Sequence, residues 1–129
     1  MRNFSSAAAR QTAAPTAPDT QRVSTMSEAQ IQRAVIDLLT KAGVFCFPVP
    51  NNPRGRRTVG FKAGIPDVWA VHDGKVFALE LKTEKGRPSE EQLAAVSAIN
   101  EAGGFATIAE GLDKAMAICR AWGLLGRAV

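Results

Sequence analysis

The chain has 129 residues, an apolar fraction of 46% and a formal net charge of +4. That is one domain's length, enough to bury a core without disulfide or metal staples, and the composition excludes wholesale disorder. No apolar run approaches the roughly 20 residues of a membrane span, and the N-terminus carries Arg2 and Arg10 without the apolar stretch of a secretory signal.

Residues 1–25 are mostly Ala, Thr, Pro, Ser and Gln with few large apolar side chains. Such a segment buries too little surface to offset its ordering entropy and reads as a disordered tail. Order is expected from residue 26 to 129. Ser27 and Gln30 have the spacing of a capping box. Ile31, Ala34, Val35, Leu38 and Leu39 then recur at helical spacing until Gly43, which predicts a helix over about 27–42. VFCFPV (44–49) is a short strand closed by Pro48 and Pro50, and NNPRGRRTVG (51–60) is a loop rich in turn residues and arginine.

A hairpin follows, with arms over about 66–72 and 75–82 around Asp73-Gly74. Ser89 and Gln92 form a second capping box, opening a helix that carries Leu93, Ala95, Val96 and Ile99 and stops at Gly103-Gly104. FATIA (105–109) is a further strand. LDKAMAICRAWGLL (112–125) is a final helix, apolar on more than one side. The order α-β-β-β-α-β-α describes a single α/β domain with a mixed central sheet flanked by helices.

Charge is unevenly distributed. No acid lies between Asp37 and Asp67, whereas Lys41, Arg54, Arg56, Arg57 and Lys62 all do. Such a segment suits a phosphate backbone, and it equally suits a solvated loop. Cys46 and Cys119 sit in apolar surroundings without metal or redox spacing and read as reduced core thiols. His72 adjoins the turn and is expected to be exposed, and Trp69 and Trp122 read as core or interface rather than as stacking platforms. There is no Walker loop, no zinc spacing and no arrangement of a nucleophilic serine or cysteine.

The hairpin carries the chemistry. Asp-Gly favours a two-residue type I′ turn, after which opposed residues face each other from His72–Lys75 outward to Asp67–Glu80. The two carboxylates then form a non-hydrogen-bonded pair with Cβ atoms about 4.5–5.5 Å apart. Lys82, two residues beyond Glu80, shares their face. Two arrangements satisfy such a pair: neutralisation by Lys82 on a solvated sheet edge, or a hard divalent cation held between the acids. Trp69, Val71, Val76 and Ala78 share the face, which makes it a poor solvated surface and favours the cation.

Pro66-Asp67, twelve residues, then Glu80-Leu81-Lys82 in this element order resembles the PD-(D/E)XK nuclease superfamily. The fuller run GIPDVWAV…FALELKTEKGRPSEEQ, with the leading helix SEAQIQRAVIDLL, resembles the VRR-NUC family (virus-type replication-repair nucleases) over residues 27–122. The resemblance implies a restriction-endonuclease-like core and a Mg²⁺-dependent DNA endonuclease, with Mn²⁺ as a substitute. Asp67, Glu80 and the Leu81 carbonyl would hold the metal. Lys82 would orient or activate the attacking water, Glu28 would add a further acid, and Gln92 would complete the pocket. Each of the last two also has a local role, Glu28 as a helix N-terminal acid and Gln92 as the capping partner of Ser89. Arg54, Arg56, Arg57 and Lys62 are candidate DNA contacts.

The small stand-alone members occur in phages and bacteria, which implies a cytoplasmic setting in a bacterial cell or phage-infected host. They look like dimeric enzymes that cut branched DNA such as Holliday junctions. The apolar excess of the final helix, at Leu112, Met116, Ile118, Trp122, Leu124 and Leu125, is the candidate dimer surface. Alternatives are a restriction-like or nicking nuclease on ordinary duplex and a non-catalytic DNA-binding module. The presence of Asp67, Glu80 and Lys82 together disfavours the module.

Overall fold

Two capping boxes punctuate the chain as its sequence spacing requires. In the computed structural model, which describes residues 26–50 and 63–126, the Ser27 hydroxyl accepts from the Gln30 N–H while the Gln30 side chain accepts from the Ser27 N–H. This opens helix α1 (Glu28–Lys41). The same reciprocal pair at Ser89 and Gln92 opens α2 (Glu90–Glu101). Between them lie β1 (Phe45–Pro48), β2 (Val68–His72) and β3 (Lys75–Lys82), and after them β4 (Phe105–Glu110) and α3 (Leu112–Ala121).

The strands form one sheet in the order β1-β2-β3-β4. β1 and β3 are antiparallel to β2, and β4 is parallel to β3 across the α2 crossover. Asp73 (φ 51°) and Gly74 (φ 76°) both adopt positive φ, as a type I′ turn demands. The register is the expected one, from His72–Lys75 to Val68–Leu79. The first arm is shorter than expected, because pairing ends at Val68. Asp67 instead caps the strand end: its carbonyl accepts from the Val49 N–H (2.8 Å), and its carboxylate turns to the backbone of β3.

Because the strand period is two, register divides the sheet into two faces. On one, Val68, Ala70, Phe77, Leu79 and Leu81 join Ile31, Val35 and Leu39 of α1 and Ala115 and Cys119 of α3 in the main core. Each fully buried aliphatic side chain there contributes about 1.5–3 kcal/mol. The other face carries Phe45 and Phe47 of β1, Trp69 and Val71 of β2, and Val76, Ala78, Glu80 and Lys82 of β3. Helix α2 crosses on this side.

Helix α2 is half-buried along Gln92, Ala95, Val96 and Ile99 and leaves Leu93 50% exposed, and Asn100 exchanges two hydrogen bonds with the Ala106 backbone. The six apolar residues of the candidate dimer surface join the core only in part: Leu124 alone is buried, and Met116 is half-exposed outside the main cluster. Helix α3 ends at Ala121, and the chain then folds back so that Leu124 is buried and Leu112, Ile118, Trp122 and Leu125 pack on the main cluster. Trp122 also meets Phe77 with ring centroids 5.2 Å apart. Finally, Cys119 is buried but Cys46 only half-buried, because Cys46 lies on edge strand β1; both are free thiols. Burial pushes the Cys119 thiol up to about 11, which leaves it unreactive. Among the described residues, no helix is long and apolar enough to cross a membrane.

Candidate active site

Where β2 begins and β3 ends, a cleft of about 340 Å³ is lined by Glu28, Asp67, Glu80, Lys82 and Gln92, together with Gly64. The expected side chains therefore come from three elements and the loop before β2. Hairpin register brings Asp67 to the level of Glu80. The capping box places Glu28 in the first turn of α1 with its carboxylate facing the sheet end. The second capping box sets Gln92 above Glu80.

Glu80 is the unusual member. It is 2% exposed, the one charged residue in the core of the described residues, and its Oε1 is buried without a hydrogen-bond partner. Its Oε2 accepts from Gln92 Nε2 at 2.8 Å. The amide orientation of Gln92 follows from the cap: Gln92 Oε1 accepts from the Ser89 N–H (2.8 Å), which leaves only Nε2 to face Glu80. Both roles expected of Gln92 thus reside in one side chain. Burial first, and then the charge of Asp67, push the Glu80 carboxyl up to about 8, against the opposing pull of Lys82.

Asp67 Oδ2 accepts from the Leu81 N–H at 2.9 Å, which ties the start of β2 to the backbone of β3 beside Glu80. Lys82 Nζ lies 3.8 Å from Glu80 Oε2 and 3.9 Å from Glu28 Oε2, and its side chain is 13% exposed. Those distances give charge attraction but lie beyond hydrogen-bond reach. The ammonium protons are therefore not committed to either acid.

The donor set suits a hard divalent cation. An orphaned, buried carboxylate oxygen costs free energy unless something binds it. Two adjacent carboxylates and a backbone carbonyl are what Mg²⁺ takes while keeping several waters. Among the described residues no group of three or more His, Cys, Asp or Glu side chains is arranged to hold a metal, so no zinc cage is offered.

The loop before Asp67 contributes a contact through Gly64, which opens the GIPD run, although the sequence did not show what that glycine meets. Gly64 (φ +79°) lies against the first turn of α2 so closely that a Cβ would sit 2.4 Å from the Glu91 carbonyl and 2.7 Å from the Gln92 nitrogen. Arg54, Arg56, Arg57 and Lys62 lie outside the described residues. His72 is half-exposed beside Asp73 and remote from the cleft lining.

A mixed four-stranded sheet with α1 and α3 on one face and α2 on the other, with acids and a lysine at the end of the central hairpin, defines an α/β domain. Its fold is that of a VRR_NUC domain. A solved structure described as "VRR_NUC domain protein" superposes with TM-score 0.63 at 19% identity, covering 78% of this chain and 91% of that one. A second, described as "VRR_NUC domain", gives TM-score 0.58 at 16% identity, covering 74% of this chain and 96% of that one. At these identities the likeness is one of fold. No family model and no curated protein matches the chain.

Proposed function

We propose that this protein is a divalent-metal-dependent endonuclease that hydrolyses phosphodiester bonds in DNA, with branched DNA such as four-way junctions as its substrate. The observation that carries the reading is the buried Glu80 carboxylate with one unpartnered oxygen, set beside Asp67 and Lys82 in an open cleft. In the metal-free protein a proton held on Glu80 and shared with Asp67 offsets part of the cost of burying it, and a cation between the two carboxylates would take the proton's place.

Asp67, Glu80 and the Leu81 carbonyl would hold Mg²⁺, with Mn²⁺ as a substitute. When bound, the ion would supply positive charge for the developing phosphorane and make water more acidic. Lys82, with its ammonium protons unspent, would orient the attacking water and hold the developing negative charge on a phosphate oxygen. Glu28, 3.9 Å from Lys82, keeps that ammonium in place and offers a further acceptor at the cleft. Gln92 fixes the rotamer of Glu80 by its hydrogen bond.

The test is incubation with four-way junction, flap, splayed and linear duplex DNA in Mg²⁺, Mn²⁺ or EDTA. Cleavage of the branched forms that EDTA abolishes is the expected outcome. Equal cutting of linear duplex would place the enzyme among duplex nucleases, and tight binding without cleavage under every metal would make it a DNA-binding module.

One constellation per chain cuts one strand per encounter. A four-way junction has approximate two-fold symmetry, so paired nicks call for a two-fold homodimer. Light scattering across a concentration series is expected to give twice the 13.7 kDa chain mass. A monomer that still made symmetric nicks would defeat the dimer.

Arg54, Arg56, Arg57 and Lys62 are proposed as phosphate contacts. Neutralising the three arginines is expected to weaken binding to all DNA sequences. It should also flatten the salt dependence of log K by about 0.9 for each phosphate that the protein no longer neutralises. An unchanged salt slope would place this loop away from DNA.

A further inference from the structure

The face of the sheet that carries Glu80 and Lys82 does not end at the cleft. By register it continues through Trp69 to Phe47 and Phe45 on the edge strand. Trp69 lies two residues from Asp67, about 7 Å along the strand, and its Nε1 donates to the Pro66 carbonyl (3.0 Å), which pins the ring toward the catalytic end. Phe47 pairs directly with Trp69. Phe47 is 39% exposed and Phe45 68% exposed. Their ring centroids are 6.0 Å apart at 63°. On its other side Trp69 walls a hollow of about 410 Å³ with Val76 and Ile99. Aromatic side chains in the open cost free energy, and a patch of them marks a surface that something else covers.

What covers it is indicated by what adjoins it. Phe47 lies two residues before Val49, which lines the cleft with Asp67, Glu80 and Lys82, so a DNA strand whose backbone occupies that cleft can lay its bases along β1 and β2. Phe side chains carry no polar group to read base edges, so they offer only π-faces, which every base can use. A second copy docked on Phe47 and Trp69 would lie across the mouth of the cleft and obstruct a DNA strand.

We propose that Phe45, Phe47 and Trp69 form a stacking strip for unpaired bases of the DNA strand whose backbone enters the cleft, so that substrates with single-stranded character are preferred. The inference rests on the nuclease reading for its cleft and adds the feature of DNA that the enzyme selects. It also revises the sequence-based expectation that Trp69 serves only as core or interface. Paired bases, stacked on their neighbours, leave no face for the strip, whereas the unpaired bases of a flap or splayed arm do, so among branched forms these are bound ahead of a fully paired four-way junction.

The experiment measures binding in EDTA to splayed-arm DNA with 2-aminopurine in the unpaired arm, against a fully paired duplex of the same length. Stacking is expected to quench the 2-aminopurine emission. The Phe45→Ala/Phe47→Ala variant, checked for an unchanged melting temperature, is expected to relieve the quenching and lower the splayed-to-duplex affinity ratio by about fivefold or more. An unaltered ratio overturns the proposal. So does a dimer that becomes monomeric in light scattering while splayed-arm binding is retained, since the face would then be a contact between copies. The two readings fail separately. If Glu80→Gln cleaved like the wild type while quenching persisted, the nuclease site would fall and the strip would stand. If the wild type cleaved DNA but never quenched the probe, the strip alone would fall.

Discussion

Glu80→Gln is expected to abolish cleavage and yet to stabilise the metal-free protein, increasingly so as the pH rises. The activity loss, about a hundredfold or more in kcat, follows on the proposed nuclease reading, in which the Glu80 carboxylate would hold the cation that neutralises the phosphate. The stability gain follows from linkage. The Glu80 carboxyl is pushed from an ordinary 4.5 up to about 8 in the folded protein, first by burial and then by Asp67. Below pH 4.5 both folded and unfolded states hold the proton and the group contributes no difference. Between 4.5 and about 8 the unfolded chain ionises while the folded one keeps its proton, so the native state loses relative stability as pH rises. Above about 8 the penalty is complete, on the order of a few kcal/mol.

Glutamine has no such penalty and keeps the side-chain shape. Thermal melts in EDTA should therefore coincide near pH 4 and separate progressively to pH 8, with the variant higher. Mg²⁺ should then raise the melting temperature of the wild type and leave Glu80→Gln unmoved, because only the wild type gains a ligand on folding. A constant offset at all pH values would mean that Glu80 is not held protonated in the native site.

Gly64→Ala is expected to lose most activity and to destabilise the fold by about 2 kcal/mol or more. Two costs combine. The first is the positive φ of +79°, which a Cβ disfavours by roughly 1–2 kcal/mol. The second is the collision with the Glu91 and Gln92 backbone, which has no flexible side chain to yield. Pushing the first turn of α2 outward withdraws Gln92 Nε2 from Glu80, so the site opens as the contact is relieved. Gly43 supplies the control: its φ is +83°, but a Cβ there would meet nothing within 4 Å. Gly43→Ala should show the strain alone, about 1–2 kcal/mol in urea unfolding, with cleavage retained. Equal destabilisation by the two variants, with equal activity, would show that the approach of the loop to α2 does not position the site.

What the sequence determined by itself is what depends on neighbours in the chain. The Asp73-Gly74 turn admits few backbone shapes, so it set the hairpin register and brought Asp67 level with Glu80. Both capping boxes depend on residues three apart, and both formed. The strand period of two put Asp67, Glu80 and Lys82 on one face, whereas Glu28 and Gln92 were singled out for the site only by the resemblance to the VRR-NUC family; the structure brings all five to one cleft. Other features depended on which surfaces meet. The apolar residues from 112 on outnumber one helical stripe, and only the fold-back beyond Ala121 decided which of them the core takes: Leu124 is buried, while Met116 stays half-exposed.

Helix α2 carries Leu93, Ala95, Val96 and Ile99, yet the last three are only half-buried and Leu93 is left in solvent. VFCFPV reads as a buried strand, but at the sheet edge only its Cys46 side meets the core, and Phe45 and Phe47 are left outside. Burial is a property of pairs of surfaces far apart in sequence, and periodicity shows only that a face is apolar, not what lies over it. The orphaned Glu80 oxygen and the Gly64 approach belong to the same class. Each arises where two segments cross at distances that only the packed sheet and helices establish.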